Sequence, residues 1–318
     1  MKLVVGFITY NEISAKYLAD FLPSLAEALS FLDRADFKIF AHDNSDSLNQ
    51  DNKLIIDRFN LSAGNLIEYS SLNNNLGFAR AYNILLNYAY SDKAEYFLAL
   101  NPDMIMEPDS IKKLIAALDL SRDVSALSPK IYYWDFLNKK KTKLIDSLGL
   151  IVRPGLRFYD LGQGNYDQGQ FDGLSIIGPS GAAGLFRLSA LDKISFVAES
   201  GRKQYFDERF FMYKEDCDLA YRLSLANFKS KLVPDSIFYH NRTSGSGRQN
   251  VVNKLWDRLG KSRQVRIWSL ENQNILYAKY WKKENFVNKL LIIFWFTGSF
   301  IFSLILEQFN LKTYFKRK

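Results

Sequence analysis

The chain has 318 residues, of which 47% are hydrophobic and 24% charged, as is usual for a folded protein with a sizeable core. A single cysteine excludes an intrachain disulfide framework, and two histidines without a cysteine cluster exclude a zinc-finger site. The net charge is +8, and its excess lies near the C-terminus, where residues 241–318 carry 15 Lys and Arg against 4 Asp and Glu.

The first half of the chain alternates predicted strands and helices. Apolar runs predict buried strands over residues 3–9, 37–41, 65–69 and 96–100. Apolar residues at spacings of three and four predict helices after the first strand, with an interruption at Pro23, and over residues 78–89 and 111–118. This βαβα order predicts an α/β fold with a mostly parallel sheet flanked by helices.

The pattern changes after about residue 124. Shorter strands are predicted over residues 124–128, 144–152 and 175–177, and the lysine run at 139–143 indicates a solvated loop tip. A helix near 215–226 and a strand over 229–239 follow, and small polar residues at 241–247 are typical of a mobile loop.

Polar residues follow the first two predicted strands. Thr9, Tyr10, Asn11 and Glu12 come at the end of the first strand, and Asp43 stands in a polar cluster after the second. The carboxyl ends of parallel strands meet at one edge of a sheet, where open α/β folds bind ligands such as nucleotides. Turns and helix caps also favour these residue types, which is the structural alternative for each cluster.

A third cluster follows the third strand, where Asn75, Gly77 and Arg80 open a helix. Gly77 permits a tight entry into this helix, whose first backbone N–H groups are expected to be free to bind an anion. Arg80 adds a full positive charge on the first turn. The cluster indicates a diphosphate site, and an ordinary asparagine-rich loop is the alternative.

A fourth cluster, Asn101-Pro102-Asp103, ends the fourth predicted strand. Pro102 stops that strand because proline cannot donate to a sheet ladder. Asp103 then offers an oxygen ligand at the ligand-binding edge, which suits Mg²⁺ or Mn²⁺ held partly by substrate phosphates. A proline turn without any metal is the alternative.

In this order the four clusters resemble the motifs of glycosyltransferase family 2, which has the GT-A fold, and most closely its rhamnosyltransferase-like members. The resemblance covers roughly residues 3–245 and is most specific at residues 75–83, which are similar to the family stretch Asn-x-Gly-Phe-Ala-x-(Ala/Gly)-x-Asn. Asn101-Pro102-Asp103 resembles the Asp-x-Asp metal motif, with Asn101 where many relatives carry Asp. Asn101 can accept a ribose hydrogen bond but supplies no charge.

The resemblance implies a role for each cluster and for three segments further on. Small residues at 178–187 are similar to the family segment that lines the sugar pocket. The resemblance implies that Asp216 is the base that deprotonates the acceptor, that Glu215 supports it, and that His240 joins Asp103 in the metal site. The implied nucleotide-sugar ligands are Thr9, Tyr10, Asn11, Glu12, Asp43 (at the nucleobase), Asn75, Gly77, Arg80 and Asn101.

Each of the later segments also has a structural alternative. Acidic residues such as Glu215 and Asp216 are favoured in the first turn of a helix, and a single histidine is more often structural than a ligand. The small residues at 178–187 are equally consistent with a flexible turn.

A GT-A domain is therefore predicted over residues 1–245, followed at 246–318 by a basic, aromatic-rich helical region that associates with a membrane. Residues 290–306 carry no charge and are slightly short of the ~20 residues of a typical spanning helix. A span, an interfacial or re-entrant helix, and a helix packed on the domain or in an oligomer all stay open. The basic stretch 256–281 indicates a surface-bound amphipathic helix.

These observations lead us to expect an inverting, metal-dependent glycosyltransferase at the cytoplasmic face of the cell membrane. Its first-choice reaction moves L-rhamnose from dTDP-rhamnose to a lipid-linked saccharide in cell-surface polysaccharide synthesis. The alternatives are a UDP-sugar-dependent enzyme of the same fold and a non-catalytic nucleotide-sugar-binding or scaffold protein, with a homo-oligomer open. No nucleic-acid partner is expected, because the basic residues accompany an apolar run. The cytoplasmic location is expected because the N-terminal apolar run lacks a signal peptide's length and cleavage site.

Overall fold

The structure is a computed structural model that describes residues 1–46, 50–198, 201–242 and 258–315. Its strands are β1 (Leu3–Thr9), β2 (Phe37–Asp43), β3 (Ile67–Ser71), β4 (Tyr96–Leu100), β5 (Met104–Met106), β6 (Val124–Asp135), β7 (Lys140–Ser147), β8 (Leu150–Arg153), β9 (Arg157–Asp160), β10 (Ala183–Arg187), β11 (Phe196–Val197), β12 (Lys203–Gln204) and β13 (Lys229–His240). Its helices are α1 (Asn11–Leu29), α2 (Asp51–Ala63), α3 (Gly77–Ser91), α4 (Ser110–Asp119), α5 (Leu188–Ile194), α6 (Glu215–Leu225), α7 (Arg263–Tyr280), α8 (Phe286–Leu306) and α9 (Leu311–Phe315).

A nine-stranded sheet with the order β3-β2-β1-β4-β10-β6-β13-β5 forms the centre of the molecule, with β7 paired to β6. Strands β1 to β4 are parallel, β10 is antiparallel to both β4 and β6, and β5 is antiparallel to β13. The predicted α/β class with a mostly parallel, helix-flanked sheet is confirmed. The pairing of β5 with β13 brings the chain just after β4 beside the C-terminal end of β13.

Both faces of the sheet are buried because its central strands are apolar throughout. Every residue of β4 is buried, and side chains along β1 alternate between the two layers. Residues of α1, α2 and α4 cover one face, and residues of α3, α5 and α6 cover the other.

Several predicted elements differ from those observed. Helix α1 runs through Pro23 without a break, because Pro23 lies on its exposed side while Phe21, Leu22 and Leu25 hold its other side in the core. The strand predicted over 144–152 is divided at Gly149, whose φ of +115° turns the chain between β7 and β8.

The prediction of a loop tip for the lysine run is wrong from Lys140 onward, whereas Lys139 lies in the turn between β6 and β7. Residues from Lys140 onward form the exposed start of β7 and pair with the end of β6, where Lys141 lies opposite Trp134. Lysines on an outer strand discourage pairing with another chain. The strand predicted at 175–177 is reduced to isolated bridges, one of which joins Ile176 to Ser230.

Helix α7 packs against the body of the protein rather than lying free on its surface. Leu276 and Tyr280 join a core cluster with Phe210 of the loop before α6 and with residues of β8 and α6. The Tyr280 hydroxyl donates to Asp218 Oδ1 at 2.7 Å. The expectation of a surface-bound helix over 256–281 is therefore wrong for the described part of that stretch, because burial against the body explains its apolar residues.

Helix α8 is different, because most of its apolar side chains face outward. It is the helix of the described ranges that is long and apolar enough to cross a membrane, judged by length and composition, and only 11% of its most apolar window is buried. The predicted domain boundary at residue 245 and the expected mobile loop beyond residue 242 fall outside the described residues.

Replacing Leu276 with alanine should lower the free energy of unfolding by about 2–5 kcal/mol, because its fully buried side chain fills the contact between α7 and the body. Urea unfolding followed by circular dichroism measures the change. Leu290→Ala on the exposed face of α8 is the matched control and should change stability by about 0.5 kcal/mol or less. Equal effects of the two substitutions would contradict the docking of α7.

Candidate active site

The polar clusters that follow β1, β2 and β4 lie at one edge of the sheet. Thr9 is in register with Asp43, and Phe7 is in register with Leu100, so the three strands end side by side. Just beyond β4, the Asn101 backbone N–H donates to the carbonyl of Ala182 at 2.8 Å. The structure thus brings the first, second and fourth predicted clusters together, with the residues before β10 beside them. The third cluster joins them, since Asn44 Nδ2 donates to the Gly77 carbonyl at 3.1 Å.

Asp43 lies at the centre of a buried hydrogen-bond network. Its Oδ1 accepts from Thr9 Oγ1 at 2.9 Å, from Ser45 Oγ at 2.7 Å and from Asn52 Nδ2 at 3.3 Å, and its Oδ2 accepts from the Tyr69 hydroxyl at 2.6 Å. Burial, followed by the Asp43 contact, raises the pKa of Tyr69, which keeps that hydroxyl a donor. Contact between Asp43 and a nucleobase stays a prediction.

Asn11 and Asn52 turn polar atoms toward this network. The Asn11 backbone N–H donates to Ser45 Oγ at 2.7 Å from a left-handed conformation with φ of 43°, and Asn52 Nδ2 donates to the Asn11 carbonyl at 3.2 Å. The side-chain oxygens of Asn11 and Asn52 are buried without a hydrogen-bond partner among the described residues. These two acceptors suit the hydroxyl or amide donors of a nucleoside.

Tyr10 and Glu12 have weaker structural links to the site. The Tyr10 backbone N–H donates to Ser14 Oγ at 2.9 Å, as part of the start of α1, and Glu12 is exposed on the first turn. Their predicted contacts with the nucleotide sugar stay predictions. Asn52 was missed from the sequence, because it lies on α2, well away from any strand end.

The entry into α3 is held by protein contacts. The Gly77 N–H donates to Asn75 Oδ1 at 2.9 Å, and the Phe78 N–H donates to the Phe211 carbonyl at 2.7 Å. The expectation that the first N–H groups of this helix are free was therefore wrong for both residues, because long-range and local acceptors already bind them. Arg80 is exposed on the same turn and can still supply its charge.

The remaining part of the motif also has structural roles. Asn83 bridges α3 to a distant loop, since its Nδ2 donates to the Phe206 carbonyl at 2.8 Å and its Oδ1 accepts from Phe206 N at 2.9 Å. The Tyr82 hydroxyl donates to the Leu100 carbonyl at 2.9 Å, at the end of β4. The sequence stretch that resembles the family most closely thus fixes α3 between the strand ends and the loop before α6.

Asp103 and His240 lie together, as the sequence predicted. His240 Nε2 is 3.2 Å from Asp103 Oδ1, and His240 Nδ1 is 2.7 Å from Asp146 Oδ2. Burial lowers the pKa of His240, but the carboxylates of Asp103 and Asp146 outweigh it and raise this pKa to about 10. A histidine whose second nitrogen is fixed by a carboxylate is the usual arrangement of a metal-binding imidazole.

Arg242 completes a charged network behind His240. Its Nη1 is 2.8 Å from Asp146 Oδ1, and its Nη2 is 3.1 Å from Asp160 Oδ2. Burial opposes ionisation of Asp146, yet His240 and Arg242 hold its pKa below the ordinary value. The described ranges contain no cluster of three or more His, Cys, Asp and Glu side chains able to hold a metal.

The Asp103–His240 pair fits a divalent cation that shares its coordination with a substrate. Mg²⁺ and Mn²⁺ accept carboxylate and imidazole ligands and commonly keep further positions for phosphate and water. Asp146 fixes the orientation of the His240 ring from the far side. The residue types and their arrangement are compatible with such a site, and a metal held by Asp103 and His240 stays a prediction.

Glu215 and Asp216 begin α6 after two consecutive residues in the left-handed region, Tyr213 with φ of 75° and Lys214 with φ of 66°. Such a pair of non-glycine residues is strained and needs support from its surroundings. Asp216 Oδ2 accepts from the Gly181 N–H at 2.8 Å, and Oδ1 accepts from the Cys217 N–H at 2.7 Å.

Asp216 lines a small cavity together with Phe78, Ser180, Gly181 and Leu219. The Ser180 hydroxyl at this cavity is buried and has no hydrogen-bond partner within the described part of the chain. Glu215 is buried beside Asp216, and burial followed by the charge of Asp216 raises the pKa of Glu215 well above its ordinary value. Glu215 is thereby favoured as the neutral acid, while Asp216 has hydrogen-bond donors for its carboxylate.

Helix α7 supports the strained turn from the other side. Asn272 Nδ2 donates to the carbonyls of both Met212 and Tyr213 at 2.7 Å, and Lys214 Nζ donates to Gln273 Oε1 at 2.7 Å. Sequence reasoning missed both α7 residues. The signal that could have found them is the polar run at 271–274 inside an amphipathic helix, because its buried polar groups need partners.

Solved structures of the same fold include proteins with bound nucleotide sugars. S. aureus TarS 1–349 in complex with UDP-GlcNAc aligns with 92% of this chain and 79% of its own, at 18% identity and a TM-score of 0.51. The mannosyltransferase PcManGT from Pyrobaculum calidifontis, in complex with GDP-Man and Mn²⁺, aligns with 98% of this chain and 85% of its own, at 14% identity and a TM-score of 0.51. This chain spans 37% of the longer S. aureus TarS chain, at 19% identity and a TM-score of 0.51.

The sheet order and these likenesses place the chain in the GT-A class of folds. Its sequence matches Glycosyl transferase family 2 over residues 4–195, and the chain belongs to that family. The predicted family is confirmed. No curated protein sequence matches the chain.

Replacing Gly77 with alanine should lower the free energy of unfolding by more than the same change at Gly64. Both glycines have positive φ, at +75° and +70°, but a Cβ at Gly77 would lie 2.3 Å from the Phe211 carbonyl oxygen, whereas nothing lies within 4 Å at Gly64. Gly64→Ala should cost about 1 kcal/mol of unfolding free energy, because alanine disfavours positive φ. Gly77→Ala adds the cost of moving the Phe211 backbone away from the new Cβ. Urea unfolding compares the two variants, and equal losses would contradict the close approach.

Proposed function

We propose that this family 2 protein is an inverting glycosyltransferase that moves a sugar from a nucleoside diphosphate to a lipid-linked saccharide. The first-choice donor is dTDP-L-rhamnose, and the expected setting is cell-surface polysaccharide synthesis at the cytoplasmic membrane face. The nucleotide sugars bound by similar folds support a nucleotide-sugar donor, and the resemblance of the ordered set of motifs to rhamnosyltransferase-like members favours rhamnose.

One observation carries this proposal, namely the linkage of the predicted base to the predicted donor site. The Gly181 N–H binds Asp216 Oδ2 at 2.8 Å, and the carbonyl of the next residue, Ala182, accepts from the Asn101 N–H at 2.8 Å. A single short segment thus connects the Asp216 carboxylate to the strand end that carries Asp103. An inverting reaction needs its base and its departing diphosphate near one sugar carbon, and this segment links the two predicted sites.

The nucleotide is assigned to the strand ends of β1 and β2. The unpartnered oxygens of Asn11 and Asn52 can accept from the ribose or the base, and Asp43 Oδ2, which accepts only from Tyr69 among the described residues, can accept from a base N–H. Arg80 supplies a positive charge for the diphosphate from the first turn of α3. Asn75 and Gly77 act by shaping this turn, since their polar groups bind each other.

Asp103 and His240 would hold a divalent metal, with Asn101 beside them. When bound, such a cation supplies charge neutralisation to the departing diphosphate. Asp146 keeps His240 Nε2 pointed toward Asp103, and Arg242 holds Asp146 in place. The PcManGT complex with Mn²⁺ supports a metal in this fold.

Asp216 is proposed to accept the proton of the acceptor hydroxyl as that oxygen attacks the anomeric carbon. The bond from this carbon to the diphosphate breaks as the new bond forms on the opposite face, which inverts the anomeric centre. Because Glu215 is favoured as the neutral acid, it adds little negative charge beside Asp216. Gly181 fixes the carboxylate through one oxygen, and a side chain at this position would approach it to 3.2 Å.

Asp216→Asn should reduce kcat for sugar transfer by about 10²–10⁴-fold, because the amide cannot accept the acceptor proton. Asp103→Ala should also remove most transfer, by weakening the binding of metal and diphosphate. Transfer from dTDP-rhamnose, UDP-GlcNAc and UDP-glucose to a synthetic lipid-linked saccharide measures both effects and ranks the donors. Asp123→Asn, which changes an exposed carboxylate on the surface, is the control and should retain activity.

Wild-type turnover in both the Asp216→Asn and the Asp103→Ala variants would overturn the proposed assignment. Preference for a UDP-sugar over dTDP-rhamnose would overturn the choice of donor but leave the assignment as a glycosyltransferase unchanged. Specific donor binding without transfer to any acceptor would instead favour the non-catalytic alternative.

Asp146→Asn should weaken Mn²⁺ binding by about 10–100-fold, because it loses the charge that fixes the His240 ring. Electron paramagnetic resonance of free Mn²⁺ measures this affinity without any donor. Removing divalent ions with a chelator should abolish transfer by the wild type, and adding Mn²⁺ should restore it. An unchanged Mn²⁺ affinity in folded Asp146→Asn protein would show that Asp146 does not support a metal ligand.

A further inference from the structure

Helix α8 presents a continuous apolar stripe to the outside of the molecule. The stripe consists of Val287, Leu290, Phe294, Ile301 and Ile305, whose exposed fractions range from 50% to 69%. Their spacing of three, four and seven residues places them on one helix face, with Gly298 between Phe294 and Ile301. Isolated exposed apolar residues are ordinary, but a contiguous stripe of this length indicates a contact surface.

The N-terminal end of α8 is fixed to the body. The Asn288 side chain donates from Nδ2 to Glu284 Oε2 at 2.7 Å, and its Oδ1 accepts from the Gly155 N–H at 3.2 Å, at the turn between β8 and β9. Glu284 in turn accepts from the Tyr221 hydroxyl of α6. The first turn of α8 is thus bonded to two elements of the globular body.

The C-terminal end of α8 is also fixed to the body, by a buried carboxylate. Glu307 is fully buried, and it pairs with Arg258 at 2.6 Å and with Arg266 of α7 at 3.3 Å. Asn310 Nδ2 adds a hydrogen bond to Glu307 Oε2 at 2.6 Å. Because α7 itself is packed on the body, both ends of α8 are held on the same side of the stripe.

This attachment decides among the three arrangements that the sequence left open. A helix that crosses a bilayer has its ends on opposite sides of a hydrocarbon layer about 30 Å thick. For α8 to do so, Glu307 or Asn288 would have to leave its partners, and a buried carboxylate separated from its arginines is strongly unfavourable. A helix attached at both ends can lie flat on a membrane with its outer stripe inserted.

The charges near both ends of the stripe favour a lipid surface over a second copy of the chain. Lys282 and Lys283 are exposed before α8, and Lys312 is exposed beyond it, whereas Glu284 and Glu307 are buried. Stripe-to-stripe packing of two copies would place lysines against lysines in either orientation. Trp281 is 37% exposed beside these lysines, as is typical of aromatic residues at a membrane interface.

We propose that α8 binds flat to an anionic bilayer surface, with its stripe inserted among the acyl chains and its lysines at the lipid headgroups. No segment of α8 crosses the bilayer in this arrangement. Helix α7 lies between α8 and the turn that carries Glu215, because its residues bind both Glu307 and the carbonyls of Met212 and Tyr213. Helix α7 therefore links the proposed membrane-binding helix α8 to the loop before α6.

Flotation with lipid vesicles tests the binding. The full chain is mixed with preformed vesicles of phosphatidylcholine, with or without about one third phosphatidylglycerol, and should float with the anionic vesicles and less with the neutral ones. Combined Phe294→Glu and Ile301→Glu substitutions should weaken this binding by about tenfold or more. Leu120→Glu, which changes an 87% exposed leucine at the end of α4, is the matched control.

Cysteine labelling tests the flat orientation. In a Cys217→Ala background, Lys283→Cys and Lys312→Cys place one thiol near each end of α8, and a membrane-impermeant maleimide is added outside the vesicles. Labelling of both sites on floated protein supports a flat helix, whereas protection of one site shows a span and overturns the proposal. Absence of flotation overturns it too, and a stripe-dependent dimer in light scattering would identify a second copy as the occupant.

Neither measurement involves a donor, an acceptor or turnover. An inactive enzyme that floats and is labelled at both ends would leave the membrane proposal intact while refuting the proposed function. A fully active enzyme that does not float with vesicles would refute the membrane proposal and leave the proposed function intact.

Discussion

The short segment at Gly181 and Ala182 is the constraint on which the candidate site depends. It lies directly before β10, the strand that is antiparallel to β4, so its backbone follows the end of β4 closely. The Gly181 N–H therefore binds Asp216, and the Ala182 carbonyl binds the Asn101 N–H. Any movement of β10 relative to β4 would change the distance between the predicted base and the predicted metal ligand. A Cβ at Gly181 would lie 3.2 Å from Asp216 Oδ2, so a small residue suits this position.

The sequence was informative where local pattern decides structure. Apolar runs define strands, strands end at polar residues, and parallel strands bring those ends together, so Thr9, Asp43 and Asn101 could be placed at one edge without a structure. The proximity of His240 to Asp103 came from family resemblance, and the pairing of β13 with β5 gives its physical cause.

The sequence was uninformative where a contact joins distant segments. No local sequence pattern predicts that the Phe211 carbonyl accepts from the Phe78 N–H. None predicts that the carboxylates of Asp146 and Asp160 lie against Arg242. Their positions follow from the packing of whole elements, and single charged residues in mid-sequence are usually solvated. For the same reason the sequence pattern indicates a surface helix at α7, although the buried face of α7 packs in one core cluster with α6.

The two hydrogen bonds from Asn272 have a consequence for how this fold can vary. The residues that form the family motifs end before residue 245, but the shape of the turn that presents Asp216 depends on a side chain near residue 270. A chimera that joined this catalytic region to the C-terminal region of another family member would keep every motif and still lack the partner of that turn. Exchange between relatives is thus limited to units that carry α6 and α7 together.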